Sequence, residues 1–142
     1  MRPDLLMSVQ GLSVSFWEEK RRLQALKDVS FDIPKSKTVC IVGESGCGKS
    51  VTARTLLGIT GANSTIDEGT IHYSDPTGTL VDIVGLKPDS KVLRRLRGND
   101  ATMIFQEPMT ALSSFYTIGN QIVEALRQHE RVTKNQARAR AI

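Results

Sequence analysis

The amino-acid sequence predicts an α/β fold in which a partial parallel sheet with helices follows an N-terminal antiparallel β subdomain. Near the N-terminus, apolar and polar residues alternate, which is typical of strands with one wet face. Residues 38–42 form a continuous apolar run, which is typical of a strand buried on both faces. The sequence stops inside a predicted helix, so we expect a truncated fold in which all 142 residues belong to one domain.

The first elements are predicted to form a β-hairpin. Apolar residues alternate from Ser8 to Phe16 and again, more regularly, from Val29 to Ile33. The charged stretch Glu18–Arg22 lies between these strands and predicts the hairpin loop. Pro34 ends the second strand because proline has no N–H to donate to a sheet.

A strand, a glycine-rich loop and a helix are predicted next. Thr38–Val42 is the strand, the loop follows at once, and Lys49–Leu57 is the helix. Gly58 stands where a glycine commonly terminates a helix. This order of elements is the beginning of a βαβ unit, whose strands pair in parallel.

The rest of the chain predicts a second hairpin, further helices and one more buried strand. The hairpin turn is Asp75–Gly78, in which proline fixes φ and glycine accepts a left-handed conformation. A capping box at Thr133–Gln136 begins the last helix, which is still unfinished at Ile142. The other predicted elements are the hairpin strands Gly69–Tyr73 and Thr79–Ile83, a short helix at Lys91–Arg97, a buried strand at Ala101–Phe105 and a helix from near Ile118.

Composition and charge describe an ordinary globular chain and argue against several classes of function. Hydrophobic residues make up 39% of the sequence, and no apolar run approaches the roughly 18 residues that span a bilayer. Two isolated histidines and two cysteines give neither metal-ligand spacing nor a disulfide framework, which indicates a reducing compartment. The net charge of +4 comes with only 5% aromatic residues, so we expect no nucleic-acid partner.

The glycine-rich loop matches the pattern G-x-x-x-x-G-K-[ST], which binds the phosphates of a nucleoside triphosphate, here most simply ATP. Its glycines let the backbone wrap with N–H groups pointing inward, and the following helix turns its positive end toward the anion. Lys49 supplies a charge that reaches the β- and γ-phosphates, and the Ser50 hydroxyl can ligate Mg²⁺. The predicted ATP-binding residues of this segment are Gly43, Glu44, Ser45, Gly46, Cys47, Gly48, Lys49, Ser50 and Val51.

A second segment indicates which family of P-loop NTPases the chain resembles. Phe105–Leu112 resembles the Q-loop of ABC transporter ATPases, and the phosphate loop is similar to that of subunits energising oligopeptide and dipeptide import. Residues from Thr117 to Ile122 follow the same pattern, so the resemblance extends from about Val9 to the last residue. It implies that residues 1–142 are the N-terminal part of one ABC ATPase nucleotide-binding domain, up to the start of its helical subdomain.

The resemblance also implies roles for particular residues. Lys49 and Gln106 would be the catalytic residues, and Ser50 and Gln106 would ligate Mg²⁺ beside ATP. Gln106 follows a predicted strand, and ligands of α/β proteins bind at the carboxyl ends of such strands. An aromatic residue from an early strand would stack on adenine: Phe16 matches by position, and its neighbour Trp17 offers the same kind of π face.

The partners implied by the resemblance belong to an import machine at the membrane. They are a second ATPase subunit, transmembrane permease subunits and, indirectly, an extracytoplasmic solute-binding protein. The chain would lie at the cytoplasmic face of the cell membrane, as a peripheral subunit. The region from Gln106 to Ile122 would pass the closure of two ATPase domains to the permease.

The chain is predicted not to hydrolyse ATP unaided. The resembled family continues with a Leu-Ser-Gly-Gly signature, an acidic strand with the catalytic carboxylate and a switch histidine, and none of these precedes Ile142. A phosphate-release assay on the purified chain should therefore show no steady turnover. Turnover that is abolished by Lys49→Ala would contradict this prediction.

Two other functions remain open from the sequence. The chain could be a non-catalytic nucleotide-binding fragment, or it could be another P-loop NTPase such as a small kinase or a GTPase. The guanine motif Asn-Lys-x-Asp is absent, which argues against a GTPase. Lys35–Lys37 and Ser113–Phe115 depart from the pattern of the resembled family, both at loop positions.

Overall fold

The structure, a computed structural model, describes residues 2, 4–107 and 112–142. The chain divides into two compact units, Met1–Leu93 and Arg94–Ile142. None of the helices in the described ranges is long and apolar enough to cross a membrane. The elements are β1 (Leu5–Glu18), β2 (Arg21–Pro34), α1 (Lys49–Leu56), β3 (Ser64–Ser74), β4 (Leu80–Asp82), α2 (Lys91–Leu96), α3 (Ile118–His129) and α4 (Lys134–Arg140).

The first unit is built on a four-stranded antiparallel sheet with the strand order β2-β1-β3-β4. Both predicted hairpins are present, and β2 ends at Pro34 as the sequence indicates. The first hairpin turns more tightly than predicted, because Arg21 and Arg22 already belong to β2 and pair with the end of β1. Glu19, in the turn, adopts a positive φ of 54°.

The core of this unit lies along the central strand β1. Leu12 and Val14 have no exposed surface, and neither has Ile71 on β3, which lies opposite Val9. Burying each such aliphatic side chain contributes roughly 1.5–3 kcal/mol. The antiparallel sheet is therefore the part of the first unit with a continuous apolar core.

Two predicted buried strands are not strands in the structure. Thr38–Val42 and Ala101–Phe105 form no strand ladder, and most of their apolar side chains are exposed, with Val42 at 87% and Ile104 at 93%, while Ala101 and Met103 are half-buried. The single parallel pairing among the described residues is an isolated bridge between Arg97 and Ala101. A strand with two apolar faces needs neighbouring strands and a cover on each face. Within the described residues, no strand pairs with either segment, so the prediction of paired strands is wrong for this chain.

The predicted helices are confirmed, and each begins within one residue of its predicted start. The expectation that the last helix is unfinished at Ile142 is wrong, because α4 ends at Arg140 with Ala141 as its C-cap residue. α1 ends at Leu56, and Gly58 follows it with a left-handed φ of 61°. α4 begins with the predicted capping box, in which the Thr133 hydroxyl accepts a hydrogen bond from the Gln136 backbone N–H. Ala137 on α4 is fully buried, and α4 packs against α3.

A polar cluster on the sheet joins three strands. The Ser15 hydroxyl of β1 donates to Asp67 of β3 at 2.5 Å, and Arg22 of β2 forms an ion pair with the same carboxylate at 2.7 Å. The Arg22 Nε also donates to the Ser15 oxygen. The hydrogen bond from Ser15, and then that from Arg22, hold the pKa of Asp67 below its usual range.

Acid is expected to weaken this cluster. Because the folded-state pKa of Asp67 is lowered, its contribution to stability is complete above the unfolded-state value of about 3.9 and is lost as pH falls through the folded-state pKa. The stabilities of the native chain and of Asp67→Asn in urea unfolding should therefore differ fully at pH values above about 4 and should begin to converge only as the pH falls below that value. Asp89→Asn, at an exposed position, is the control. A difference between native and Asp67→Asn stability that does not change with pH would contradict the prediction.

Candidate phosphate-binding site

The glycine-rich loop is folded around the ammonium group of Lys49. Lys49 Nζ donates to the carbonyl oxygens of Gly43 at 2.8 Å and Glu44 at 2.5 Å, and lies 3.7 Å from Cys47 Sγ. These bonds place the ammonium against the loop backbone, where the pattern predicts a phosphate to bind. A phosphate would offer this ammonium stronger, charge-assisted acceptors than neutral carbonyls.

Two glycines of the loop adopt conformations that other residues rarely reach. Gly46 has a φ of 81° with open space where a Cβ would stand, and Gly48 has a φ of 94°. A Cβ on Gly48 would lie 2.6 Å from Leu26 Cδ2 and 2.9 Å from the Ala25 carbonyl oxygen. Gly48 thus allows the end of the loop to rest directly on β2.

The helix that follows the loop presents an uncapped N-terminus. Gly48 is the N-cap residue of α1 and has no side chain to cap it, and the first turn contains no acidic residue. The first N–H groups of a helix lack intrahelical partners and carry a partial positive charge. Lys49 and the exposed Ser50 stand in this first turn, so the positive end of α1 and the Lys49 ammonium adjoin the same loop.

The residues near the loop fit a magnesium ion only with the help of a bound phosphate. Within the described ranges, no group of three or more His, Cys, Asp or Glu residues could hold a metal ion. The exposed Ser50 hydroxyl is a suitable single oxygen ligand. Mg²⁺ usually keeps several waters and binds through few protein groups together with substrate phosphates, which this site allows.

The strand geometry separates Phe16 from Trp17. Successive side chains of a strand point to opposite faces, so Phe16 shares its face with Val14. Val14 lies opposite Leu26 on β2, and the Leu26 side chain contacts Gly48 of the loop. The half-buried Phe16 therefore lies on the same face of β1 as Val14, whose partner Leu26 on β2 lies beside Gly48, while Trp17, 49% exposed, lies on the other face.

Gln106 lies in the second unit and is exposed. Of the predicted Q-loop, Pro108 to Ala111 lie outside the described residues. The structure describes each unit by itself, so the association of Gln106 with Mg²⁺ beside Ser50 stays a prediction.

A glutamine to which the sequence reasoning gave no role organises the segment after the Q-loop. The Gln121 side chain accepts from the Ser113 N–H and donates to the Ser113 and Tyr116 carbonyl oxygens, each at 2.9 Å. The segment is thereby folded back onto α3, whose first turn is capped by the Thr117 hydroxyl. Phe115 remains 91% exposed at the tip of this turn. No sequence pattern revealed this role, since it depends on three contacts made across a turn.

Comparison with known protein families finds one family that matches this loop and its surroundings. Residues 26–141 match the family described as ABC transporter. The chain belongs to the ABC transporter family. The matched residues of this ABC transporter chain include the whole glycine-rich loop, α1, the segment around Gln106 and α3.

Curated relatives of this ABC transporter chain are import ATP-binding proteins. It is 42% identical to the dipeptide transport ATP-binding protein DppD of Bacillus subtilis, over 94% of the chain and 38% of the relative. It is 38% identical to the glutathione import ATP-binding protein GsiA of Pectobacterium atrosepticum, over 96% of the chain and 22% of that relative. The chain thus spans two-fifths or less of the length of these relatives.

A solved structure confirms the fold. The ABC transporter chain superposes on the ATP-binding cassette MJ0796, whose structure is a dimeric post-hydrolysis state bound to ADP and Pi, with a TM-score of 0.76 and 20% identity. The match covers 95% of the chain and 53% of the cassette. The predicted class, an α/β P-loop NTPase core with an N-terminal antiparallel β subdomain, is confirmed by this likeness.

Proposed function

We propose that this chain is the ATP-binding part of an import ATPase subunit, and that the loop Gly43–Ser50 holds the triphosphate. The observation that supports this proposal most directly is the Lys49 ammonium, held against the loop carbonyls at the uncapped N-terminus of α1. The named relatives import dipeptides or glutathione, so peptides and related small solutes are the proposed cargo class.

The residues of the loop would each contribute a different contact to bound ATP. Lys49 would exchange its bonds to Gly43 and Glu44 for bonds to phosphate oxygens, and the first N–H groups of α1 would donate to the same anion. Mg²⁺, held by Ser50 and by Gln106, would neutralise charge on the β- and γ-phosphates. Positioning and charge stabilisation supply most of the catalysis in phosphoryl transfer, so this half of the site would orient the phosphates.

The segment after the Q-loop is the proposed contact with transmembrane permease subunits. Phe115, Tyr116 and Ile118 are exposed on the turn that Gln121 holds together, which presents apolar side chains on a fixed backbone. Exposed apolar groups of this kind commonly mark protein–protein contacts. The chain would then act at the cytoplasmic face of the membrane, with a second ATPase subunit and, indirectly, an extracytoplasmic solute-binding protein.

Binding of Mg-ATP should stabilise the purified chain. At a concentration one hundred times the Kd, a ligand that binds only the folded state adds roughly 2.7 kcal/mol to the free energy of unfolding. Thermal melts with and without Mg-ATP measure this effect, with magnesium chloride alone as the control. An unchanged melting temperature at millimolar Mg-ATP would contradict the proposed function.

Phe16 is predicted to stack on adenine in preference to Trp17, because it shares a face of β1 with Val14, whose partner Leu26 on β2 lies beside Gly48 of the loop. Phe16→Ala should weaken Mg-ATP binding by about 1–3 kcal/mol, the usual value of an aromatic–base contact. Trp17→Ala, on the opposite face, is the matched control and should leave the affinity within about twofold. Calorimetric titration measures both, and a larger loss in Trp17→Ala would reverse the assignment.

A further inference from the structure

The net charge of the chain comes entirely from its second unit. That unit contains eight basic and four acidic residues, whereas the first unit contains eleven of each. The ion pairs among the described residues of the second unit are Arg95 with Asp100 and Arg140 with Glu130. These two pairs engage only two of the eight basic residues, so the second unit presents an excess of positive charge to solvent.

Several of these cations line one groove along α3. A cavity of about 450 Å³ is lined by Arg127 and Gln128 of α3 and by Lys134 of α4, and Glu124 lines it too. A second cavity, of about 410 Å³, shares Gln128 with the first and extends to Arg94. The joined cavities are here called the α3 groove, and their basic lining residues are Arg94, Arg95, Arg127 and Lys134. Within the part of the chain that the structure describes, Arg94, Arg127 and Lys134 form no ion pair.

The groove is built on segments that pack against one another. His129, which lines the second cavity, lies so close to Gly98 that a Cβ on this glycine would be 2.6 Å from the His129 Nε2 atom. The end of α3 therefore lies directly on the backbone at Gly98, and α4 packs against α3. Cations that are held on packed segments lose less conformational entropy on binding than cations on a free tail.

The residues that line the groove favour a phosphate ligand other than single-stranded nucleic acid. Arginine and lysine bind phosphate oxygens through charge-assisted hydrogen bonds. Among the described residues that line the two cavities, none is Phe, Tyr or Trp. Binding of single strands commonly depends on bases that stack on such rings. A ligand that offers several phosphates without bases to stack fits this lining better.

The position of α3 indicates where such phosphates would come from. Under the proposed function, the turn with Phe115 and Ile118 contacts a permease at the N-terminal end of α3. The 12 residues of α3 span about 18 Å, so Arg127 lies less than one helix length from that turn. A permease is surrounded by lipid, and the anionic headgroups of the cytoplasmic leaflet attract basic surfaces over about one Debye length, roughly 8 Å. Anionic phospholipid is therefore the phosphate ligand nearest to the groove.

We propose that the α3 groove binds the phosphate groups of anionic phospholipids, so that the chain attaches to the bilayer directly as well as through a permease. This inference rests on the proposed function, which brings α3 to the membrane. Each Lys or Arg near an anionic surface adds about fivefold to binding, which corresponds to about 1 kcal/mol. The unpaired Arg94, Arg127 and Lys134 together predict a preference of roughly a hundredfold for anionic over neutral vesicles.

Vesicle co-sedimentation tests the proposal. The purified chain is mixed with vesicles of phosphatidylcholine alone, or with vesicles in which about one-third of the lipid is phosphatidylglycerol. We expect roughly hundredfold tighter binding to the anionic vesicles, and loss of this preference at about 1 M salt, where the Debye length is about 3 Å. Equal binding to both kinds of vesicle would overturn the inference. Tighter binding to a DNA duplex than to the anionic vesicles, at equal phosphate concentration, would also overturn it.

Two double variants distinguish the groove from the overall charge. Arg127→Gln with Lys134→Gln should weaken binding to the anionic vesicles about 25-fold. Lys20→Gln with Lys87→Gln removes the same charge from exposed positions of the first unit and should weaken binding by about twofold or less. Thermal melts check that both variants are folded, and equal losses of binding would overturn the inference. Arg94→Gln, at the other end of the groove, should weaken binding about fivefold and tests the proposal if the first double variant does not fold.

Nucleotide binding separates this inference from the proposed function. Arg127→Gln with Lys134→Gln leaves the phosphate loop intact and should bind Mg-ATP as tightly as the native chain. If Mg-ATP binding depends on Lys49 but the chain does not prefer anionic vesicles, the inference fails and the proposed function survives. If the chain prefers anionic vesicles but does not bind Mg-ATP, the proposed function fails and the lipid site stands.

Discussion

Replacing Lys49 with alanine is expected to lower the affinity of the chain for Mg-ATP by about 10- to 100-fold. Hydrogen bonds to charged groups contribute about 1.5–3 kcal/mol, and each 1.4 kcal/mol is a factor of ten in Kd. The ammonium is already held at the loop by the carbonyl oxygens of Gly43 and Glu44, so little ordering is needed before it meets phosphate. Isothermal titration with Mg-ATP measures the change.

Loss of the fold must be separated from loss of the ligand contact in this experiment. Lys87→Ala removes the same charge from an exposed position and should leave the affinity unchanged. Lys49→Arg keeps the charge but replaces a compact ammonium with a planar fork, so it should restore affinity only in part. If Lys49→Ala bound Mg-ATP as tightly as the native chain, the loop would not be the triphosphate site.

Replacing Gly69 with alanine is expected to destabilise the chain by about 2–5 kcal/mol, because two penalties act together. Gly69 has a φ of +98°, a conformation that side chains other than glycine rarely adopt. A Cβ there would lie 2.6 Å from Leu12 Cα and 2.7 Å from the Gln10 carbonyl oxygen, both of which are backbone atoms that cannot rotate away. Gly69 lies where β3 pairs with β1, at a point where the register between the two strands shifts.

Gly78→Ala provides the control for backbone strain alone. Gly78 has a φ of +83° in the turn between β3 and β4, but a Cβ there would meet nothing within 4 Å. It should cost about 1–2 kcal/mol, the penalty for a left-handed conformation. Urea unfolding of both variants measures the difference, and equal losses would show that the contact with β1 adds nothing.

Local patterns in the sequence were sufficient for the hairpins, the helices and the phosphate loop. The signals were short-range: alternation in the strands that Val14 and Phe31 belong to, turn chemistry at Asp75–Gly78 and a cap at Thr133. The fixed spacing of glycines, Lys49 and Ser50 likewise identified the loop without any knowledge of its neighbours. These features depend on residues a few positions apart, which is why a sequence reveals them.

Three-dimensional packing decided what the sequence left open. Phe16 and Trp17 are adjacent in sequence, and only the pairing of Val14 with Leu26, together with the position of Leu26 beside Gly48, shows which of them shares the face of the strand nearer the loop. The cluster of Ser15, Arg22 and Asp67 likewise exists only because three strands come together. Neither arrangement has a signal in any short stretch of the chain.

The sequence by itself determined that this chain contains a glycine-rich loop of the G-x-x-x-x-G-K-[ST] pattern between an apolar segment and a helix, because loop and helix are formed by neighbouring residues. Only the tertiary structure decided that the apolar segment Thr38–Val42 is exposed and forms no strand ladder. Apolar composition favours burial, but burial requires partner strands on both edges and a cover on both faces. Those partners are a property of the assembled fold, and the described residues supply none for this segment.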